Sequence, residues 1–302
     1  MDKLSCTLMS MPGKDTTGLP EFARPPVIET ILGVHFKPIR GLTTAHLGMF
    51  WHALGRDHWP NLRELDAIVP QVERFDVSPT APIRFMLKQM QQPEVRLRFS
   101  NADESKIIQV QANLLQTHWV RTPGTHYPRY TATTRREFLT IWDQFSAFVS
   151  SEGFNVPELL QWEVTYINRI PAGDDQLWRT PEEWVSVFNG VLVPPATPDG
   201  VIESARASYH YRLAGDTGRL HVEVRHKLGE DEESDSLELL LTARGQVISG
   251  QSAAEGFEGP TIQQAIANGL DLGRRAIVNG FTAFGSRKAL DFWGYKKENA
   301  DA

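Results

Sequence analysis

The sequence is poor in cysteine: Cys6 is the only one among 302 residues. An intramolecular disulfide and a Cys-ligated zinc centre are therefore excluded, and a reducing cytoplasm is the compartment that suits the chain. Long apolar runs are missing too. No stretch of about 18 apolar residues occurs, and the opening MDKLSCTLMSMPGKD has no continuous apolar core, so a cytoplasmic protein without a membrane span is expected. Basic residues are outnumbered, with 31 Lys and Arg against 37 Asp and Glu for a formal charge of −6. No global field draws nucleic acid, and such a contact would need a local basic patch. The chain has no P-loop, no GxGxxG after a strand, no GxSxG elbow and no HExxH. Enzymes with local signatures are disfavoured, no cofactor or metal is expected, and only a site assembled from distant residues stays open.

The hydrophobic share of 41% and charged share of 23% are those of a soluble globular chain. Residues 1–24 read as a loosely ordered leader and 296–302 as a tail. After Pro25-Pro26, VIETILGVHFKPI alternates apolar residues and predicts a strand; LTTAHLGMFWHAL predicts a helix capped by Thr43 or Thr44. Residues 56–90 carry four prolines and predict loop, with one strand at 82–89. EVRLRFS (94–100) and KIIQVQANLLQTHW (106–119) predict an antiparallel pair about an Asn-Ala-Asp turn. Residues 134–151 put Phe138, Ile141, Trp142, Phe145 and Phe148 on one helical stripe, with Thr133 or Thr134 in capping-box spacing to Glu137. The order then recurs: a strand at 160–170, a short helix from Thr180-Pro181 to Asn189, strands at 203–213, 219–227 and 236–246, and a long helix from 261 to about 284.

These elements predict an α+β fold of two structurally similar halves, 25–153 and 154–295. Each half is expected to start β-α-β-β and to form an antiparallel sheet covered by one long amphipathic helix, because a sheet with one apolar face needs a cover.

Two stretches concentrate polar chemistry. LQTHWVRTPGTHYPRY (115–130) leaves a strand for a helix, where a rigid scaffold can aim side chains. His118, Arg121, His126, Tyr127 and Arg129 are its candidate ligand- or partner-binding residues, suited to a phosphate, a nucleotide base or an acidic peptide. The competing reading has Trp119 and Tyr127 capping the core while the arginines pair with acids. In 208–227, Asp216, His221, Glu223 and Arg225 form a candidate metal-dependent hydrolase site. That fit is poor: Asp216 lies in a turn, Arg225 stands where such sites use Lys, and alternation alone puts His221, Glu223 and Arg225 on one strand face. The acidic run GEDEESDS (229–236) reads as a solvated loop, and Arg274-Arg275 with Arg287-Lys288 as a small basic cluster near the last helix.

PPVIETILGVHFKPI, HLGMFW with Pro60, HWVRTPGTHYPRYTATTRREF, YINRI, AIVNGFTAF and ALDFWG together resemble a sporadically distributed bacterial family defined by a sequence profile. The resemblance spans residues 25–294. It implies an accessory protein carried irregularly between genomes, as defence or toxin–antitoxin genes often are, and assigns no catalytic residue. The chain departs from the family pattern in the last helix, where Leu272-Gly273-Arg274-Arg275 replaces a more polar segment. The expected function is thus a non-enzymatic component that binds a protein partner, with homo-oligomerisation open. Alternatives are a nuclease or hydrolase with its site on 208–227, and a nucleotide or small-ligand sensor using Arg121, His126 and Arg129.

Overall fold

The computed structural model describes residues 18–69, 71–75, 95–128, 130–173, 175–190, 199–200, 202, 204–229, 235–247 and 260–296. In chain order its elements are β1 (Glu21–Phe22), β2 (Val27–Phe36), α1 (Thr44–Leu54), β3 (Asn61–Asp66), β4 (Val95–Ser100), β5 (Lys106–Gln111), β6 (Leu114–Val120), α2 (Thr134–Ser151) and β7 (Leu159–Pro171). A 3-10 helix (Pro181–Ser186) follows, then β8 (Arg206–Arg212), β9 (Arg219–Lys227), β10 (Ser236–Gln246), α3 (Ile262–Phe284), α4 (Arg287–Phe292) and β11 (Tyr295–Lys296). The fold is α+β: nine strands form one continuous sheet in the order β3-β4-β5-β6-β2-β7-β10-β9-β8, every neighbouring pair antiparallel. β1 and β11 make a separate two-stranded ladder. The sheets expected for the two halves are one sheet, joined where β2 pairs with β7.

The alternation in sequence sorts residues to two faces. Leu32 and Val34 of β2, Trp162 and Val164 of β7, and Leu239 and Leu241 of β10 point to the face that α2 and α3 cover. α2 contributes Phe138, Trp142, Phe145 and Val149, all buried. Each such fully buried apolar side chain is worth about 1.5–3 kcal/mol.

Several expectations change. The strand expected at 106–119 is two strands, β5 and β6, folded about Ala112-Asn113. Apolar residues on both sides of a two-residue turn without Gly or Pro hide it. β3 lies in the segment expected to be loop; it is an edge strand whose alternation is weak because residues of both its faces are exposed. The helix expected from Thr180 to Asn189 is a six-residue 3-10 helix, Pro181–Ser186, and Thr133 caps α2 with its backbone but not its side chain. Residues 82–89 and 230–234 lie outside the described residues.

Trp162 fixes the distance from sheet to helix. Its fully buried indole lies under α3, beside β10, where the surrounding positions are Gly218, Gly245, Gly269 and Gly273. Gly269 and Gly273 are one helical turn apart, so both face the ring. An added Cβ at Gly273 would sit 2.8 Å from the indole, and one at Gly269 nearer still. Gly48 of α1, by contrast, has nothing within 4 Å of an added Cβ. Helix propensity alone favours Ala over Gly by about 1 kcal/mol at either site. We therefore expect Gly48→Ala to raise the urea midpoint and Gly269→Ala to lower it, with overpacking costing about 1–3 kcal/mol. A Gly269→Ala protein as stable as Gly48→Ala would contradict the wedge.

Candidate functional site

Residues 121–133 cross from β6 to α2 over one end of the helix-covered face. Thr125 donates to the Thr122 carbonyl (2.7 Å) and accepts the Thr122 N–H (2.9 Å), closing a turn at Gly124, whose φ of 80° suits glycine. This turn returns the chain inward, so Tyr127 stacks edge-on against Trp119 with centroids 5.6 Å apart and meets Tyr166 of β7. The two phenol oxygens are 2.5 Å apart. Nη1 of Arg274, from the middle of α3, donates to both, at 3.0 Å to Tyr127 and 2.9 Å to Tyr166. Its guanidinium carbon lies 4.6 Å from the centre of the Tyr130 ring.

One guanidinium thus sits among three phenols. Burial pushes the Tyr127 and Tyr130 hydroxyls well above their ordinary values, so both stay neutral and cannot balance the charge. Among the described residues no carboxylate lies within ion-pair distance of Arg274; the nearby Asp271 pairs with Arg135 of α2 at 2.9 Å. The Tyr130 hydroxyl, in a side chain only 2% exposed, has no hydrogen-bond partner, and neither has Nε of Arg274. Tyr127 and Tyr166 hold two O–H protons and share one O···O contact, which leaves one donor to spare.

These groups line a cavity of about 300 Å³ whose remaining walls are mostly apolar, including Val27, Leu241, Ile277 and Phe281. The roof is the strap of residues 20–25. β1 and β11 pair in the register Glu21↔Lys296 and Phe22↔Tyr295, Phe22 packs edge-on against Phe281 at 5.1 Å, and Arg24 donates to the Phe292 carbonyl at 2.8 Å.

The face of the sheet opposite the helices is polar and internally paired. A row of directly opposed residues crosses all nine strands: Arg63, Arg98, Gln109, Gln116, Gly33, Glu163, Arg244, Arg219 and Arg212. Gly33 leaves room for the Gln116 side chain to reach across β2 and donate to Glu163 at 3.1 Å. Glu163 also accepts from Arg244 at 2.6 Å and meets His35 at 3.4 Å. Glu73 bonds Arg219 (2.6 Å) and His221, and His221 in turn meets His210 at 2.8 Å.

The residues singled out in sequence are therefore dispersed. His118 lies on the polar face between Glu29 (2.6 Å) and Gln109 (2.9 Å). Arg121 anchors the strap by donating to the Pro25 carbonyl at 2.8 Å, and His126 is exposed. Tyr127 alone of that set reaches the cavity, and Arg129 lies outside the described residues. On the other stretch, Asp216 pairs with Arg212 in the turn, Glu223 with Arg206 at 2.9 Å, and Arg225 with Glu238 at 3.0 Å. The described residues bring no three His, Cys, Asp or Glu side chains together in a metal-ligating group. Tyr166 and Arg274 were not read as a site. The available signal was an arginine at 274 on the same helical stripe as Leu270 and Val278, where an apolar residue is expected.

Burial alone would raise the Glu163 carboxyl, but the hydrogen bond to His35 and the charge of Arg244 outweigh it and hold the value down to about 2. A carboxyl depressed in the folded state stabilises fully above its unfolded value, near 4.5, and loses that contribution as pH falls towards 2. Glu163→Gln should be about 3–5 kcal/mol less stable than the parent at pH 7, with Arg244 retaining Gln71 at 3.0 Å. In urea melts the gap should narrow steadily as pH falls from 4.5 towards 2; a gap constant across that range would refute the ionised network. Compared with protein-family models and with curated protein sequences, the chain matches none.

Proposed function

We propose that the chain is a non-catalytic binding protein that senses a small anion, held against Arg274 between α3, β7 and residues 121–133. One observation supports this reading above others: Arg274 is a partly buried cation with no carboxylate within ion-pair distance among the described residues, set among phenols that hold one spare donor and one partnerless hydroxyl. A cation and several donors converging in a mostly apolar cavity form an anion receptor, since burying such groups unsatisfied is unfavourable. The small-ligand alternative from the sequence is thus preferred, with Tyr127, Tyr130, Tyr166 and Arg274 in place of Arg121, His126 and Arg129. A protein partner, within the accessory setting implied by the family resemblance, would read pocket occupancy. The hydrolase reading loses support because the acids of 208–227 are already paired with arginines.

The same reading takes the two halves as related units. Outward from the middle, the sheet runs β2, β6, β5, β4, β3 on one side and β7, β10, β9, β8 on the other, and a long helix follows the sheet strands of the first half (α2) and of the second (α3). In that arrangement the pocket belongs to the second half's helix, roofed by the first half's leading strap.

The experiment is thermal unfolding of the protein with the sodium salts of acetate, benzoate, phosphate and adenosine monophosphate. At a hundredfold excess over its dissociation constant, a bound anion stabilises the native state by about 2.7 kcal/mol, which registers as a melting shift of several degrees. We expect at least one anion to raise the parent's melting temperature and to leave Arg274→Gln unmoved. Equal shifts in both proteins, or none in the parent, would overturn the assignment.

A further inference from the structure

We propose that the anion is a monocarboxylate with a compact apolar body. This rests on the reading of the Arg274 cavity as an anion site and narrows it to one chemical class.

The charge balance points first. Arg274 is the one cation among the described lining residues, Arg135 is paired with Asp271, and the Glu21 carboxylate is exposed, so solvent screens it. A phosphate monoester carries about −1.5 to −2 at neutral pH and would bring uncompensated charge into a wall of Val27, Leu241 and Ile277. A carboxylate is matched.

The donors point the same way. Phosphate sites commonly use backbone N–H groups at a helix N-terminus. Arg274 lies more than two turns from either end of α3, where the backbone N–H groups are spent inside the helix. What the cavity offers is one guanidinium, the spare phenol proton of the Tyr127 and Tyr166 pair, and the partnerless Tyr130 hydroxyl. Two oxygens of one planar carboxylate can take the guanidinium on one side and a phenol on the other.

The rest of the lining is suited to hydrocarbon. Phe22 and Phe281 meet edge-on at 5.1 Å and wall the end under the strap, and the Asn168 amide is committed to the Leu239 carbonyl at 3.1 Å. Little remains to bond a base edge or ribose hydroxyls. A volume of about 300 Å³ is at the small end of ligand sites, which limits the body to the size of a short acyl chain or one ring.

The test is calorimetric titration of the full chain with acetate, butyrate, hexanoate, benzoate, benzamide, phosphate and phenyl phosphate. Affinity should rise about fourfold per methylene from acetate towards hexanoate, the ratio expected for burying each CH₂. Benzoate should bind at least tenfold more tightly than benzamide or phenyl phosphate. Tyr130→Phe removes a hydroxyl that bonds nothing, so this variant should fold normally and weaken benzoate severalfold, while Arg274→Gln should abolish binding. If phenyl phosphate or phosphate binds more tightly than the carboxylates, and Arg274→Gln abolishes it, the anion site stands and the monocarboxylate assignment falls. If no ligand binds, or binding survives Arg274→Gln, the anion site falls with it.

Discussion

The wedge of Trp162 between sheet and helix is the contact on which the other geometry depends. A large ring lies where α3 crosses β7, and the helix seats on it only because Gly269 and Gly273 offer no Cβ. Van der Waals repulsion rises steeply at these distances, so the height and rotation of α3 above the sheet are set tightly. Arg274 follows Gly273 directly. The residue that fixes the helix on the indole therefore also turns the next side chain towards Tyr166, two pleats along β7 from Trp162 on the same face. Packing and site share one cause.

The two faces of the sheet solve burial in opposite ways. The helix side removes apolar area from water, while the other side sets acids against basic side chains: Glu29 with His118, Glu163 with Arg244 and His35, Glu73 with Arg219 and His221, and Glu238 with Arg225 and Lys227. Such pairs add modest stability at best, because desolvation offsets attraction. Their effect on register is greater. Shifting β2, β7, β9 or β10 by one residue would turn a carboxylate into the apolar core, so the network penalises misaligned pairing.

The sequence made the long periodic elements legible. β2, β7, α2 and α3 were visible because one face of each is continuously apolar, and periodicity reports burial. The Ala112-Asn113 turn was hidden for a related reason: Leu114 and Leu115 keep the apolar pattern going straight through it. Edge strand β3 was obscured by Arg63 and Glu64, which are free to be polar at the rim. Sheet order was not legible, since nothing local says that β2 pairs with β7, 123 to 141 residues away. Of the site, one residue was legible. Its composition drew attention to Tyr127, but Tyr130 reads only as the end of the same stretch, Tyr166 as a strand residue, and Arg274 as part of a basic cluster until the sheet brings them together. A pocket assembled from three segments separated by 39 residues and by 108 has no spacing motif to find.

The β1–β11 ladder has a consequence for biosynthesis. Glu21 and Phe22 leave the ribosome early, while their partners Tyr295 and Lys296 emerge some 270 residues later. Contacts of such long sequence separation carry the largest loop-closure cost and form late. The strap over the cavity can therefore be tied down only once residues 295–296 have been synthesised, after every other segment of the lining.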